Sequence, residues 1–196
     1  MTTQQDSDFR DGMPFLGSRL WIDFANSAPV ALGDFLATPE GWTSWLAAAG
    51  LKAGVGRKGA AVVDLGAVHA LRAALSRLFD ALQTGARPAA SDLDLVNQHL
   101  AAGAAPPRIS WRDGEVLVER KEAGDMDPLA AIATDFADFA AHYETARLRH
   151  CANPECSLIF YDTARNGARR WCSMSACGNR HKVRSHRMRA AKLECS

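Results

Sequence analysis

The sequence predicts a mostly helical protein of the α+β class, in which a helical domain with one small β-hairpin precedes a cysteine-rich C-terminal segment. Two long stretches repeat apolar residues at helical spacing, and one short stretch alternates around Asp113-Gly114. All five cysteines of the 196-residue chain lie after residue 150. With 47% hydrophobic and 23% charged residues, the composition is that of a globular protein. We expect a disordered tail over 1–12, a helical domain over 13–146 and a small cysteine-rich domain over 147–196.

Two long helices are predicted from apolar stripes with steps of three and four residues. The first stripe predicts a helix from about Ala61 to Gln83 that ends at Gly85. The second predicts a helix with Asp127 as N-cap and Pro128 in the first turn, running to about Leu148. The stripes consist of Val68, Leu71, Leu75, Leu78 and Leu82, and of Leu129, Ile132, Phe136, Phe139 and Tyr143. We therefore expect the second helix to lead almost directly into the first cysteine.

Shorter elements are predicted from caps and turn residues. Thr38 and Pro39 start a helix that ends at Gly50, and Ser91 caps a short helix to about Leu100. The segment 109–118 alternates around its Asp-Gly pair, which predicts a β-hairpin.

The stretch from Arg19 to Ala28 fits either a short helix or an alternating strand, and we favour the helix because a proline follows it closely. On such a helix Arg19, Asp23 and Asn26 share one face, which is a candidate patch for a small-molecule ligand or a partner. The interpretation we favour is an ion pair between Arg19 and Asp23 on a solvated face, with Asn26 or Ser27 finishing the helix.

The location of the protein is predicted to be cytoplasmic. Its first residues lack the basic and apolar regions of a secretion signal. Its longest apolar stretches fall well short of the ~20 residues that cross a bilayer, so no membrane association is expected. In a reducing compartment clustered cysteines indicate a metal site before they indicate disulfides.

The cysteines form two C-x4-C pairs, Cys151 with Cys156 and Cys172 with Cys177, separated by fifteen residues. This spacing is typical of structural zinc, which takes four thiolates at tetrahedral corners. We predict one structural Zn²⁺ per chain, without an open position for a catalytic water. Redox-active thiols are the alternative. Cys195, near the end of the chain, is expected to be a free thiol.

The residues between and after the cysteine pairs predict a treble-clef-like finger. Ser157 to Asp162 has strand composition, Arg165 to Gly167 is a turn, and 168–171 returns toward the second pair as the other strand of a hairpin. A helix then runs from Ser173 to about Lys192, interrupted at Gly178.

Charge is distributed unevenly along the chain. Residues 1–146 hold 12 basic and 19 acidic residues, a balance of −7, whereas residues 147–196 hold 11 and 3, a balance of +8. A basic segment on an acidic body favours a polyanionic partner, and we expect DNA. The candidate contacts are Arg165, Arg169, Arg170, Arg180, Lys182, Arg184, Arg187 and Arg189. The alternatives are attraction between the two parts of the chain and a merely solvated helix.

Arg180, Arg184 and Arg187 fall at i, i+4 and i+7, so they share one stripe suited to phosphates or guanine edges. Asn179 either joins these contacts or supports the zinc loop. We find no nucleotide-binding, protease or hydrolase motif. A His/Asn/His nuclease site is disfavoured because His150 precedes the first cysteine pair. We therefore predict that the protein is not an enzyme.

Cys177-Gly178-Asn179-Arg180, preceded by Phe160-Tyr161-Asp162 and Arg170-Trp171-Cys172, resembles the CGNR zinc finger family over about residues 147–192. Leu20 to Ser27 resembles the Asp-Phe-x-Asn-Thr stretch of the ABATE domain, which accompanies such fingers and gives them a role in stress-induced transcription regulation. The resemblance implies a zinc finger in a transcription regulator, and together with the basic segment we expect this regulator to bind DNA. The alternative is a protein-interaction module that docks an acidic partner, with the N-terminal domain as a small-ligand sensor.

Overall fold

A computed structural model describes residues 8–52, 63–103, 108–112, 115–119 and 127–194 of the chain. In the described residues the elements are, in chain order, β1 (Phe9–Arg10), β2 (Met13–Pro14), α1 (Leu20–Ala25), α2 (Pro39–Ala49), α3 (Leu65–Thr84), α4 (Ala90–Gly103), β3 (Arg108–Arg112), β4 (Glu115–Glu119), α5 (Pro128–Ala140), β5 (Leu148–His150), β6 (Ile159–Tyr161) and α6 (Asn179–Glu194). The predicted mostly helical class is confirmed.

The chain divides into two compact units. One contains residues 35–143, and the other combines residues 1–34 with 144–196. We call the described residues 8–34 the N-terminal segment and the described residues 144–194 the finger segment. The unit 35–143 is thus inserted, along the chain, between two segments that fold together.

Helices α2, α3 and α5 begin at side-chain caps, of which Thr38 and Asp127 were predicted from the sequence. Helix α4 begins at Ala90, so our prediction that Ser91 caps it is wrong. The hydroxyl of Thr38 accepts a hydrogen bond from the Gly41 amide at 3.1 Å. Asp127 accepts the amide of Leu129 at 2.9 Å at the start of α5. These caps satisfy amides that the first turn of a helix leaves without partners. At their other ends, α2 and α3 stop at glycines in the left-handed region, with φ values of 74° and 67°.

The core of this unit forms where α4 packs against both α3 and α5. The predicted stripe of α3 is buried, and four of its five residues are no more than 2% exposed: Val68, Leu71, Leu75 and Leu78. From α5, Ile132 and Ala133 are fully buried. Burial of each large apolar side chain contributes about 1.5–3 kcal/mol, so this stripe determines how the helices pack.

The hairpin in the unit 35–143 is also confirmed. Strands β3 and β4 are antiparallel, with Ile109 opposite Val118 and Arg112 opposite Glu115. The Asp-Gly pair that predicted the turn lies outside the described residues, and so do residues 1–7 of the expected disordered tail.

Helix α5 ends at Ala140, so our prediction that it continues to about Leu148 is wrong. A single 3₁₀ turn at Thr145–Arg147 follows, and the chain then enters β5. Leu148 is 2% exposed within this strand, opposite Tyr161. Burial through pairing with β6 therefore overrides the helical pattern.

The predicted partner of β6 is wrong as well. Strand β6 pairs with β5, His150 lying opposite Ile159, and residues 168–170 have no regular structure. The first cysteine pair thus lies in the loop of the β5–β6 hairpin. Because the expected second strand is not formed, the treble-clef-like arrangement is not confirmed.

The end of the expected disordered tail is ordered, which corrects our prediction for its residues from 8 onward. Phe9 pairs with Pro14 across the β1–β2 hairpin, and Asp11 and Gly12 form its turn with positive φ values. Helix α1 is six residues long, shorter than the segment we predicted. Among the described residues, no helix is both long and apolar enough to cross a membrane.

Candidate metal centre

The four predicted cysteines come together at one point. The sulfur atoms of Cys151, Cys156, Cys172 and Cys177 all lie within 4.8 Å of one another. Two of the separations, Cys156 to Cys172 and Cys172 to Cys177, are 3.8 and 3.6 Å. A tetrahedron with metal–sulfur bonds of ~2.3 Å has edges of about 3.8 Å. These residues therefore fit a single four-coordinate metal ion.

The first cysteine pair is positioned by the β5–β6 hairpin and a tight turn. The Cys151 amide donates to the Leu158 carbonyl at 2.9 Å, and the Cys156 amide donates to the Asn153 carbonyl at 2.9 Å. The Asn153 side chain accepts the Glu155 amide at 3.3 Å and donates to the Cys177 sulfur at 3.6 Å. Asn153 thus connects the first loop to a ligand of the second pair.

The second cysteine pair is positioned by a π-helical turn at Met174–Gly178. Ser173 caps this turn by accepting the Ala176 amide at 3.4 Å. A Cβ atom at Gly178 would lie 2.8 Å from the Met174 sulfur and 3.3 Å from the Trp171 ring. A larger residue directly after the last ligand would therefore require the Met174 side chain to move.

Protonation of the cluster is shared among its thiols. A hydrogen bond from Cys172 lowers the pKa of Cys156 to about 5. The same bond, together with burial, raises the pKa of Cys172, and burial raises the pKa of Cys177. The Cys156 thiol thus ionises readily, whereas Cys172 and Cys177 retain their protons. A metal ion that binds to all of them must therefore displace protons.

Asp162 organises the loop between the cysteine pairs. It is fully buried, and its carboxylate accepts the amides of Ala164 at 2.9 Å and Arg169 at 2.8 Å. Arg147 supports the same loop by donating to the carbonyls of Asp162 and Ala164 at 3.0 and 2.8 Å.

Arg169 points into the protein, which differs from the nucleic-acid contact we expected. Its guanidinium donates to the carbonyls of Leu16, at 3.0 Å, and Cys172. It also lies 4.3 Å from the centroid of the Phe160 ring. Burial lowers the pKa of Arg169. These contacts join the N-terminal segment to a residue that bears a metal ligand.

The residues of the expected ligand patch are placed by α1. Asp23 accepts the Gly17 amide at 2.7 Å, and Asn26 is bonded to the backbone of Ile159. Both side chains are buried, whereas Arg19 is half-buried just before the helix. Asp23 and Asn26 thus bond to backbone groups of Gly17 and Ile159, within the unit that combines the N-terminal and finger segments.

The other expected basic contacts lie on the surface. The exposed side chains are those of Arg165, Arg170, Arg180, Lys182, Arg184 and Arg187, whereas the side chain of Arg189 lies outside the described residues. Arg180, Arg184 and Arg187 line an open groove together with Asn179 and Glu155. Asn179 is exposed in this groove, and the amide that donates to a cysteine sulfur is that of Asn153.

Several residues of the site were not singled out from the sequence. Leu16 is buried in the same apolar cluster as Cys151, Cys172 and Cys177, and Phe9 packs against it. Asp8 accepts a hydrogen bond from the Ser173 hydroxyl at 2.9 Å. An apolar run at residues 13–16 was the only available signal, because the partners lie more than 130 residues away.

The fold and the four-thiol cluster define a metal-binding protein of the zinc-finger class. Comparison with protein families agrees. Residues 18–143 match ABATE, described as "Putative stress-induced transcription regulator", and residues 147–190 match the CGNR zinc finger. The chain belongs to the ABATE family and carries a CGNR zinc finger at its C-terminal end, which confirms the resemblance and the domain order. No curated protein matches the chain.

Proposed function

We propose that the protein is a transcription regulator that binds DNA through a finger folded around one structural Zn²⁺. Four thiolates at tetrahedral spacing are the donor set that structural zinc prefers. With all four positions taken by cysteines, the ion serves folding rather than catalysis, which supports a role outside enzyme chemistry. We also place the protein in the cytoplasm, because a reducing compartment keeps clustered cysteines available as metal ligands.

The observation that carries the DNA proposal is the row of exposed arginines on α6. Arg180, Arg184 and Arg187 line one groove beside the metal centre, and Arg165 and Arg170 are exposed on the loop before it. Guanidinium groups bind phosphates and guanine edges through paired hydrogen bonds. Zinc with four thiolates carries a formal charge of −2, which lowers the balance of residues 147–196 from +8 to about +6. The finger segment therefore keeps a strongly positive net charge when zinc is bound.

The experiment that tests this proposal is the salt dependence of DNA binding by the zinc-loaded full chain. A fluorescent mixed-sequence duplex of about two helical turns is titrated at several salt concentrations, and anisotropy reports the dissociation constant. Neutralisation of several phosphates predicts that log K falls with log salt by about 0.9 per phosphate contacted. Elemental analysis of the same sample should give one zinc per chain.

A matched pair of variants separates the groove from the overall charge. Arg180→Ala with Arg187→Ala removes two positive charges from α6, and Lys52→Ala with Arg87→Ala removes two exposed charges from the unit 35–143. We expect the first pair to weaken binding by about tenfold or more and to lower the salt slope by about two, and the second pair to leave both unchanged.

Absence of binding at low salt would overturn the DNA proposal. Equal effects of the two pairs would show that net charge, rather than the groove, attracts the duplex. If the finger instead docks an acidic protein, DNA binding is absent and the α6 variants lose that protein partner.

A further inference from the structure

The N-terminal segment contacts both halves of the metal centre. Asn26, 3% exposed, donates from its side-chain amide to the Ile159 carbonyl at 2.8 Å and accepts the Ile159 amide at 3.0 Å. It thereby pairs with β6 as a neighbouring strand would. Ile159 lies three residues after Cys156, so this contact fixes the strand that leaves the first cysteine pair.

The same segment also fixes the second cysteine pair. The Ser173 hydroxyl donates to Asp8 at 2.9 Å, directly after the ligand Cys172. Leu16 is 3% exposed among Cys151, Cys172 and Cys177, and Phe9 packs against that cluster. The segment therefore adds two apolar side chains to the cluster that contains three of the four ligands.

Two further hydrogen bonds join the N-terminal segment to the finger segment. The Tyr161 amide donates to the Gly17 carbonyl at 3.1 Å, and the Val30 amide donates to the Ser157 hydroxyl at 3.0 Å. These bonds hold the strand and the loop that follow the first cysteine pair, and such outer contacts help to orient metal ligands. Neither family match includes residues 8–17, so a finger defined as 147–190 lacks this layer.

We infer that the N-terminal segment is a metal-retention element. Its docking on the finger segment and the binding of the metal are one linked process. Asn26 positions the ligands through its two hydrogen bonds to Ile159. The inference rests on the proposed zinc centre and is independent of DNA binding. Linkage is reciprocal: if docking raises the affinity for zinc, zinc must stabilise docking by the same factor.

The first arm of the test measures zinc affinity of the full chain by competition with a chromogenic chelator. Asn26→Ala leaves two buried backbone groups of Ile159 without partners, so we expect zinc affinity to fall about tenfold or more. Asp8→Ala removes a single hydrogen bond at the edge and should weaken zinc binding by a few-fold. Asn97→Ala, an exposed asparagine of α4, is the matched control and should bind zinc like the parent.

The second arm measures hydrogen exchange of the unsubstituted protein with and without chelator. Peptides from residues 8–34 should lose protection when zinc is removed, whereas peptides from α3 should not. This arm uses no variant, so it remains informative if Asn26→Ala fails to fold. Saturating Asn26→Ala with Co²⁺ should restore the visible absorption of a four-thiolate site, because the ligands themselves are unchanged.

Each outcome decides one question. If the parent protein takes up no zinc, the proposed zinc centre itself fails. If the parent binds zinc but protection of residues 8–34 is independent of it, and Asp8→Ala and Asn26→Ala keep the parental affinity, the metal-retention role alone is overturned. Zinc-dependent protection together with weakened affinity in both variants supports it.

Discussion

The Glu155 carboxylate lies 3.3 Å from the Arg184 guanidinium, so an acidic side chain of the first cysteine loop faces the basic helix α6. Both side chains are largely exposed, at 73% and 62%. Exposed ion pairs contribute about 0–1 kcal/mol, so this pair adds little to folding and opens easily. Its consequence is electrostatic, since Glu155 places a negative charge in a groove that we propose binds phosphates.

Replacing Glu155 with glutamine is expected to tighten DNA binding by about two- to fivefold, because one repelling charge is lost and Arg184 becomes free for a phosphate. The fall of log K with log salt should become steeper by the equivalent of about one phosphate contact. Anisotropy titrations at two salt concentrations measure both quantities. Glu40→Gln, an equal charge change on an exposed residue of α2, is the control. A weaker complex with Glu155→Gln would mean that the carboxylate itself contacts the partner.

The unit 35–143 contains a charge pair in which only the carboxylate is buried. Arg77 donates to both carboxylate oxygens of Asp92, at 2.5 and 3.0 Å, and the Asp92 side chain is 5% exposed whereas that of Arg77 is 59% exposed. Hydrogen bonding to Asp92 raises the pKa of Arg77. Arg77→Ala should lower the free energy of unfolding by about 1–3 kcal/mol, less than for a fully buried pair. Urea unfolding measures this loss, and Arg87→Ala should stay within about 0.5 kcal/mol of the parent. An equal effect of both variants would contradict the prediction.

Much of the unit 35–143 was predictable because its signals are local. The stripe of α3, the caps Thr38 and Asp127 and the terminating Gly50 each act within a few residues. The cysteine set was predictable for the same kind of reason, since two short loops present two thiols each. The four cysteines predicted from their spacing are therefore the four whose sulfur atoms come together in the structure.

The parts that sequence reasoning missed all depend on distant partners. The helix that we expected to reach Leu148 ends at Ala140, and Leu148 lies in a strand opposite Tyr161. Asn26 follows a short helix, and its partner Ile159 is 133 residues away. Arg169 lies in a basic stretch and was predicted to be a surface cation, but its guanidinium donates to the carbonyl of Leu16, 153 residues away. No periodicity or spacing along the chain reports such contacts.

Loss of one ligand should dismantle the finger and spare the unit 35–143. Cys156→Ser or Cys172→Ser removes a thiolate whose metal binding supplies folding free energy to a segment with few apolar residues. We expect zinc content to fall from one per chain to near zero by elemental analysis. Hydrogen exchange should show residues 151–190 unprotected while α3 stays protected. Cys195→Ser, outside the two cysteine pairs, should keep its zinc. A metal-free finger with parental protection would contradict a structural role for the ion.

Arg169 and Arg165 stand four residues apart and are expected to behave in opposite ways. Arg169 donates to carbonyls of both segments and lies over Phe160, whereas Arg165 is exposed. Arg169→Ala should therefore lower the unfolding free energy of the zinc-loaded protein by about 2–3 kcal/mol, and Arg165→Ala by no more than about 0.5. Lysine at 169 should not restore stability, because an ammonium group cannot reproduce the planar set of donors.

The same two variants differ in DNA binding. Under conditions where both are folded, Arg165→Ala should lower the salt slope by about one, and Arg169→Ala should leave it unchanged, since that guanidinium already has its partners within the protein. Urea unfolding and anisotropy titrations on the same preparations give the two results side by side. Parental stability together with a lowered salt slope in Arg169→Ala would place this guanidinium on the DNA and return it to the basic surface that the sequence alone predicted.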